Sequence, residues 1–295
     1  MIPWERRASE HCSHSTGAYK PSRLGRLGQA RHFGFCLDDH GGCDIVEPSL
    51  WIPLFIGTAL IVASANSLNM YLERDIDCHM ARTKKRPLPA GRMDPRVALV
   101  FGLINVAIAV PVLTFGVNAL TGMCGVVAFI SYVMLYTPMK QRTTIATIVG
   151  SLPGAMPALM GWTAVTGRLD AGGLVIFGVL FFWQIPHFHA ISLFRSKEYK
   201  KAGLKILPVE SGPELTRVAM VLYTAVQVQV SLMLYPLGVA GKVYFLTAAI
   251  LGGAYFLYSI IGVRNGNAKW ARRFFLFSIV YLPVIFIVMV VDGIA

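Results

Sequence analysis

The sequence predicts an all-α fold, a polytopic membrane bundle of about eight transmembrane helices. Of its 295 residues, 55% are hydrophobic and only 14% are charged, whereas soluble domains carry about 25% charged residues. Apolar runs near the roughly 20 residues that a membrane helix needs alternate with turns of Gly, Pro and polar residues. The runs lie at about 49–72, 97–117, 119–137, 144–166, 171–194, 215–238, 243–263 and 272–291.

The segment 1–48 differs in composition from the rest of the chain. Gly, Ser, His and Arg dominate it without periodicity, so we expect it to be poorly ordered, and 49–295 to form the transmembrane domain. The net charge of +12 does not indicate nucleic-acid binding, because the basic residues lie between apolar runs and form no separate domain. The five cysteines are scattered and odd in number, and imply no disulfide framework.

The distribution of Lys and Arg predicts the orientation in the membrane. If the loop 73–96 faces the cytoplasm, the opposite loops contribute only Arg168 and Lys242. Alternation places three further basic loops on the cytoplasmic side, at 138–143, 195–214 and 264–271. We therefore expect a multi-pass protein of the cell inner (plasma) membrane with its functional loops in the cytoplasm. A mitochondrial inner membrane is less favoured, because no clear transit peptide precedes the first run.

The clearest functional pattern follows the first apolar run. Asn69, Glu73 and Asp77 are spaced i, i+4, i+8 and fall within about 80° of one another on a continuous helix. Asp75 points elsewhere on such a helix. Acidic groups at the end of a membrane helix are costly unless they bind something. Mg²⁺ is the ion that we expect these groups to bind, since it typically takes one or two carboxylates plus substrate phosphates.

Basic residues near these acids could bind the anion that a metal brings. Arginine binds phosphate through a bidentate fork, and lysine binds it as a point charge. A second loop begins at Tyr136 and presents two cations at the membrane edge. The candidate phosphate ligands in the two loops are Arg82, Lys85, Arg86, Lys140 and Arg142.

A third group of polar residues begins inside the fifth apolar run. Gln184, His187 and Arg195 lie near one face of a helix if Pro186 does not break it. A histidine inside a span is costly and indicates a cavity or a ligand, although a hydrogen-bonded packing residue is the alternative. Two more candidates follow directly, Glu198 and Tyr199.

Together these motifs resemble the UbiA-type intramembrane prenyltransferases, and within them the haem-modifying branch. The resemblance covers about 55–295. The matching motifs are Asn69-x3-Glu73-x3-Asp77, Tyr136-x-x-x-Lys140-x-Arg142, Ser151-x-Pro-Gly-Ala-x-Pro157, Trp183-Gln-x-Pro-His187 and Arg195-x-x-Glu198-Tyr199. This sequence departs from the family pattern at two positions, Glu73 and Glu198, where the family usually has Asp. The family also opens with a membrane helix carrying a Lys-Pro signature, and we expect this first helix to be missing here.

The resemblance implies Mg²⁺-dependent transfer of a farnesyl group from farnesyl diphosphate to a vinyl group of protohaem IX, giving haem O, with haem as substrate and not cofactor. It implies a catalytic role for Asn69, Glu73 and Asp77, and metal binding by Glu73, Asp77 and Asp75. It implies substrate binding by Arg82, Lys85, Arg86, Tyr136, Lys140, Arg142, His187, Arg195, Glu198 and Tyr199. Besides membrane lipid, the candidate partners are haem A synthase and the assembly machinery of a terminal oxidase.

Two alternative functions are compatible with these motifs. A sister prenyltransferase would act on a quinone precursor or a chlorophyll-type ring, but such enzymes carry a second Asp-rich motif that is absent here. A transporter or an assembly scaffold is the alternative from another class. Charges at the membrane midplane on broken helices would favour a transporter, whereas here they crowd one interface.

Overall fold

The structure is a computed structural model that describes residues 35–37, 43–45, 48–78 and 83–294. Most of the segment 1–48, and Arg82, lie outside the described residues, so the expectations for them stay predictions. A short antiparallel ribbon precedes the helices, with β1 (Phe35–Leu37) paired to β2 (Cys43–Ile45). Among the described residues, eight helices are long and apolar enough to cross a membrane, which confirms the predicted helical membrane bundle.

Within the part of the chain that the structure describes, twelve α-helical segments form the bundle, and the short ones belong to the loops that carry the site. They are α1 (Pro48–Leu72), α2 (Arg74–Asp77), α3 (Pro95–Gly116), α4 (Ala119–Ile130), α5 (Thr137–Met139), α6 (Ala146–Thr166), α7 (Ala171–Phe194), α8 (Ser196–Lys201), α9 (Leu207–Glu210), α10 (Gly212–Leu232), α11 (Lys242–Asn265) and α12 (Ala268–Ile294). A π-helical turn, Ser131–Tyr136, joins α4 to α5 and makes them one span.

The largest difference from the predicted spans is at the sixth. The apolar run continues to 238, but α10 ends at Leu232. Pro236 has no backbone N–H to continue a helical ladder, and Gly238 adopts a φ of 71°, in the left-handed region that favours glycine. A tight turn forms there, in which the Gly238 N–H donates to the Tyr235 carbonyl over 3.0 Å.

The spans form two packed groups joined by the contact of α6 with α7. The first group contains α1, α3, α4 and α6, around a core that includes Leu113 and Met160. The second contains α7, α10, α11 and α12, around Tyr244, Tyr255 and Phe274. Small and polar residues let membrane helices approach closely.

The contact of α1 with α3 illustrates this close approach. Ser64 Oγ donates to the Gly102 carbonyl over 2.6 Å, and Ser67 Oγ donates to the Ala98 carbonyl over 2.8 Å. A Cβ on Gly102 would lie 2.7 Å from Leu68 Cγ, so only glycine fits there. These bonds fix α1 against α3 and therefore fix the direction in which the end of α1 presents its polar residues.

Candidate active site

The three polar residues at the end of α1 are buried together, although regular helix ends at Leu72. The Glu73 N–H donates to the Asn69 carbonyl and the Asp77 N–H to the Glu73 carbonyl, each over 2.9 Å. The i to i+4 geometry therefore continues through the turn at Glu73 into α2. All three side chains are buried. By contrast, the Asp75 side chain is 87% exposed and lies 3.7 Å from Arg74, so the structure does not bring Asp75 to Glu73 and Asp77.

Each buried carboxylate is paired with a cation from another segment. Lys140 Nζ donates to both carboxylate oxygens of Glu73, over 2.9 and 3.1 Å. Arg86 Nη1 donates to Asp77 Oδ2 over 2.7 Å. The carboxylate side chains are only 3% exposed, while Lys140 is 19% and Arg86 37% exposed. The cations thus lie on the solvent side of the acids.

A second set of hydrogen bonds holds the loop after α2 in position. Thr83, which is buried, donates its hydroxyl to the Asp77 carbonyl over 2.9 Å. The Arg86 N–H donates to the Thr83 carbonyl over 2.8 Å. Asn69 Nδ2 donates to Thr137 Oγ1 over 3.1 Å, which ties the acid cluster to the start of α5. Backbone and side chain together fix Arg86 and Lys140 beside their acids.

A cavity of about 460 Å³ opens beside this cluster, within the roughly 300–1,000 Å³ typical of small-molecule sites. Residues of α1, α4, the π-helical turn, α6, α7, α8 and the segment that follows α8 line it. Lys140 lines the cavity, but Glu73 and Asp77 do not. The lysine therefore contacts both Glu73 and the space that a ligand would enter.

Three residues spaced four positions apart, Tyr132, Tyr136 and Lys140, line the polar end of the cavity. The rings of Tyr132 and Tyr136 lie 5.5 Å apart, and Lys140 Nζ lies 5.9 Å from the Tyr136 ring centre. The Tyr136 ring rests against the bare backbone of Gly150, where a Cβ would lie 2.6 Å from Tyr136 Cε2. Tyr132 OH donates to Asn66 Oδ1 over 3.5 Å. Two aromatic rings and a cation therefore face the cavity together.

The predicted residues of α7 separate onto two sides of that helix. Gln184 lines the cavity, and its Nε2 donates to the carbonyls of Ser151 and Leu180 over 3.3 and 3.1 Å. His187 is buried against α12 and lies outside the cavity lining, with Nδ1 2.7 Å from Ser278 Oγ. Phe188, 43% exposed, lines the cavity instead. Helix α7 continues through Pro186, so the proline does not cause this separation.

The remaining predicted residues fall into three groups. Tyr199 lines the cavity, whereas Lys85 and Arg142 are exposed. Arg195 and Glu198 pair with each other over 3.6 Å at the surface. A surface pair of this kind contributes about 0–1 kcal/mol, so both side chains can rearrange around a ligand at little cost.

Several polar residues of the cavity were not among the predicted site residues, and they include Asn66, Tyr132 and Lys205. Tyr132 could have been found from the sequence, because it stands four residues before Tyr136 and eight before Lys140. That spacing matches the spacing of Asn69, Glu73 and Asp77. Lys205 lies in an irregular segment after α8, and its approach to the cavity depends on folding of that segment, which periodicity does not describe.

The donor set suits a magnesium ion that arrives with a phosphate. Among the described residues, no three His, Cys, Asp or Glu side chains form a group that could hold a metal by themselves. Mg²⁺ does not need such a group, because it is usually held by one or two carboxylates with substrate phosphates completing its octahedron. Glu73 and Asp77 are two carboxylates that could hold such an ion, and Lys140 and Arg86 are cations of the kind that bind phosphate.

The fold and this site define a multi-pass membrane protein with a carboxylate and cation cluster at one end of an elongated, largely apolar cavity. A family model described as the UbiA prenyltransferase family matches residues 33–281. The chain belongs to the UbiA prenyltransferase family, and it is a membrane-embedded prenyltransferase.

Individual relatives refine this assignment. The chain is 51% identical over 249 residues to Protoheme IX farnesyltransferase of Sorangium cellulosum, covering 84% of this chain and 89% of the relative. It is 38% identical over 247 residues to Protoheme IX farnesyltransferase 1 of Bacillus subtilis, covering 82% and 77%.

A solved UbiA homologue from Archaeoglobus fulgidus, bound to DMAPP and Mg²⁺, superposes with a TM-score of 0.64 at 19% identity, covering 88% of this chain and 92% of that chain. At this identity the superposition demonstrates a common fold.

Proposed function

We propose that this chain transfers a farnesyl group from farnesyl diphosphate to a vinyl group of protohaem IX, forming haem O and diphosphate. The names of the relatives and the family support this activity. The observation that carries it is the pairing of two buried carboxylates with Arg86 and with Lys140, of which Lys140 lines the cavity. Such a cluster can bind a cation and an anion together if its internal ion pairs exchange partners.

The exchange follows from the chemistry of the four groups. Lys140 and Arg86 lie on the solvent side of their acids, and both bind phosphate oxygens well. When they turn to the diphosphate, Glu73 and Asp77, aided by Asn69, are left to hold Mg²⁺. When bound, Mg²⁺ neutralises charge on the diphosphate oxygens and so favours their departure. No buried charge is left without a partner at either stage.

The carbon–oxygen bond of the farnesyl group breaks with its electron pair passing to the diphosphate. Lys140 and Arg86 stabilise the negative charge that develops, and stabilisation of this kind is usually the largest catalytic contribution. The farnesyl cation left in the cavity is in contact with apolar groups such as Ile61, Val62 and Pro157. Walls of this kind exclude water and protect the cation until the haem vinyl group attacks it. Water then supplies the hydroxyl group and a proton is released.

Haem recognition is assigned to the end of α7 and the segment after it. Ser278 Oγ donates to the Phe275 carbonyl over 2.6 Å, so it can only accept from His187 Nδ1. In a neutral imidazole this leaves Nε2 unprotonated, which is the form that ligates iron. Arg195 is a candidate partner for a haem propionate, as is Lys205, which lines the cavity. Tyr199 also lines the cavity.

The orientation and partners are also proposals. The excess of Lys and Arg on the side of the acid cluster supports a cytoplasmic active site in the inner (plasma) membrane. Haem A synthase and terminal oxidase assembly factors are the candidate partners, since they would consume the haem O formed.

The test is formation of haem O in membranes that contain this chain, measured by chromatography after adding protohaem IX, farnesyl diphosphate and Mg²⁺. We expect product from the unmodified chain and none from Asp77→Ala, which should still insert in the membrane. Asp75→Ala is the matched control, because it also removes one carboxylate, but the Asp75 carboxylate is exposed. A loss as large as that of Asp77→Ala would assign Asp75 to a metal as well.

The same membranes distinguish the acceptors. Quinone precursors and chlorophyll-type rings are offered with labelled farnesyl diphosphate in place of protohaem. Label transfer to one of these and not to haem would contradict the proposed acceptor. Near-normal haem O formation by Asp77→Ala would remove the proposed metal site.

A further inference from the structure

The cavity has a closed end, and the residue that closes it can be identified. Along α6 its lining extends from Ala146, at the Lys140 end, to Met160, a distance of about 21 Å by helical rise. On α1 and α4 the lining residues farthest from Lys140 are Thr58 and Ala128. Among the described residues, none farther along these three helices lines the cavity.

The region beneath this end is filled by Leu113 of α3, which is fully buried. Its side chain occupies space that two glycines leave open. A Cβ on Gly57 of α1 would lie 2.5 Å from Leu113 Cγ, and a Cβ on Gly125 of α4 would lie 2.9 Å from Leu113 Cδ1. Three helices therefore meet there without room for a ligand to pass.

Met160 lies between this packed layer and the cavity. Its side chain is almost fully buried, and its Cε lies 3.6 Å from the point where a Cβ on Gly125 would stand. Ile61 Cγ1 lies 3.7 Å from the same point. Both side chains line the cavity, but the thioether of methionine is unbranched and flexible, and it fills irregular space readily.

Resting on the proposed function, we propose that Met160 is the specificity-determining residue that sets the length of the prenyl chain. The diphosphate is held at the Lys140 end, so the chain extends along α6 and its last isoprene unit reaches Met160. A chain one isoprene unit longer meets the thioether and the packed layer behind it. A chain one unit shorter leaves the closed end empty and loses its contacts there.

The test measures binding and transfer separately on the full chain in lipid nanodiscs. Geranyl, farnesyl and geranylgeranyl diphosphates compete with tritiated farnesyl diphosphate in the presence of Mg²⁺, without any acceptor. For Met160→Ala we expect the ratio of geranylgeranyl to farnesyl affinity to rise about tenfold or more, the usual scale for apolar pockets that gain or lose carbon. For the bulkier Met160→Phe we expect the preference to move toward geranyl diphosphate.

Met156→Ala is the matched control. Met156 is the same residue type on the same helix, buried in the same core, but it does not line the cavity. Met156→Ala loses core packing as Met160→Ala does. It should nevertheless keep the preference of the unmodified chain among the three prenyl diphosphates. Met160→Val removes less volume and serves if Met160→Ala is too unstable to purify, with a smaller shift in the same direction.

Unchanged affinity ratios in folded Met160→Ala or Met160→Val would overturn the proposal, and so would an equal shift in Met156→Ala. Because the competition contains no acceptor, it is independent of haem. A shifted ratio without haem O formation would retain the role of Met160 and reject the acceptor. Haem O formation with unshifted ratios would retain the acceptor and reject the role of Met160.

Discussion

Lys140 Nζ lies 2.9 Å from Oε2 and 3.1 Å from Oε1 of Glu73, which joins the loop after α5 to the end of α1. The cation expected to bind diphosphate thus neutralises the carboxylate expected to bind Mg²⁺. Arg86 and Asp77 form a second ion pair of the same kind, with Arg86 Nη1 2.7 Å from Asp77 Oδ2. The site is self-neutralised without ligands, so a cation and an anion gain most when they bind together.

The first prediction concerns Lys140→Met, which removes the charge and keeps most of the side-chain length. Glu73 is then a buried carboxylate without its partner, and breaking such a pair costs about 3–5 kcal/mol. We expect a lower thermal midpoint, measured by fluorescence-detected size exclusion, and partial recovery on adding Mg²⁺ alone. Transfer should stay lost because the diphosphate lacks its cation.

The double variant Lys140→Met with Glu73→Gln is the control for this explanation. It removes both charges, so its thermal midpoint should return toward that of the unmodified chain without added Mg²⁺. If Lys140→Met alone were as stable as the unmodified chain, the ion pair would contribute little, and the exchange of partners would lose its support.

The second prediction is cooperative binding. Mg²⁺ alone must displace Lys140 and Arg86 from their carboxylates, and inorganic diphosphate alone leaves the carboxylates unpaired. When both ligands bind, Mg²⁺ takes the two carboxylates and diphosphate takes the two cations, so no charged group loses its partner. We expect the thermal shift with both ligands to exceed the sum of the separate shifts. Simply additive shifts would show that the two ligands bind independently.

The end of α1 shows what could be predicted from the sequence. The spacing of Asn69, Glu73 and Asp77 predicted a common face, and the structure buries all three while Asp75 is exposed. Helical geometry is local, so four-residue spacing is sufficient to predict it. The spans were predictable because each apolar run is near the length that a membrane helix needs, apart from the turn at Pro236.

Contacts between distant segments could not be predicted in this way. Periodicity gives no indication that Lys140 reaches Glu73, because that contact depends on how α1, α5 and α6 pack. The π-helical turn Ser131–Tyr136 also shifts the register at which the loop begins. His187 and Gln184 share a helix, but only the neighbouring α6 and α12 determine that one faces the cavity and the other faces Ser278.

The third prediction concerns Arg86→Lys. The guanidinium presents a planar fork to a carboxylate or a phosphate, whereas lysine presents a point charge. The charge beside Asp77 is retained, so the protein should fold normally. We expect a several-fold rise in the KM for farnesyl diphosphate with a smaller change in kcat, measured by haem O formation at varied substrate. Unchanged KM and kcat in Arg86→Lys would place Arg86 away from the bound diphosphate.

The fourth prediction separates the two substrates at His187. If His187 orients haem, His187→Ala should reduce haem use more than the binding of farnesyl diphosphate, measured as the KM for haem and by competition binding. Ser278→Ala keeps the ring but removes the acceptor 2.7 Å from Nδ1. It should reduce haem use less than His187→Ala. Equal loss of both substrates in His187→Ala would identify His187 as a packing residue against α12.

The fifth prediction tests the contact of α6 with α7 beside the cavity. A Cβ on Gly154 would overlap the side-chain oxygen of Gln184, whose amide group is already held by Ser151 and Leu180. Gly154→Ala must displace Gln184, and such overpacking costs about 1–3 kcal/mol. We expect a lower thermal midpoint and weaker binding of farnesyl diphosphate, because the displaced side chain enters the cavity.

Gly161→Ala provides the comparison on the same helix. A Cβ at Gly161 would meet no atom within 4 Å, and alanine favours a helix over glycine by about 1 kcal/mol. Its thermal midpoint should be equal to or above that of the unmodified chain, with unchanged substrate binding. Because both substitutions add one methyl group to α6, a difference between them isolates the contact with Gln184. Similar stability and binding in the two variants would mean that α7 yields at this point and that Gln184 does not shape the cavity.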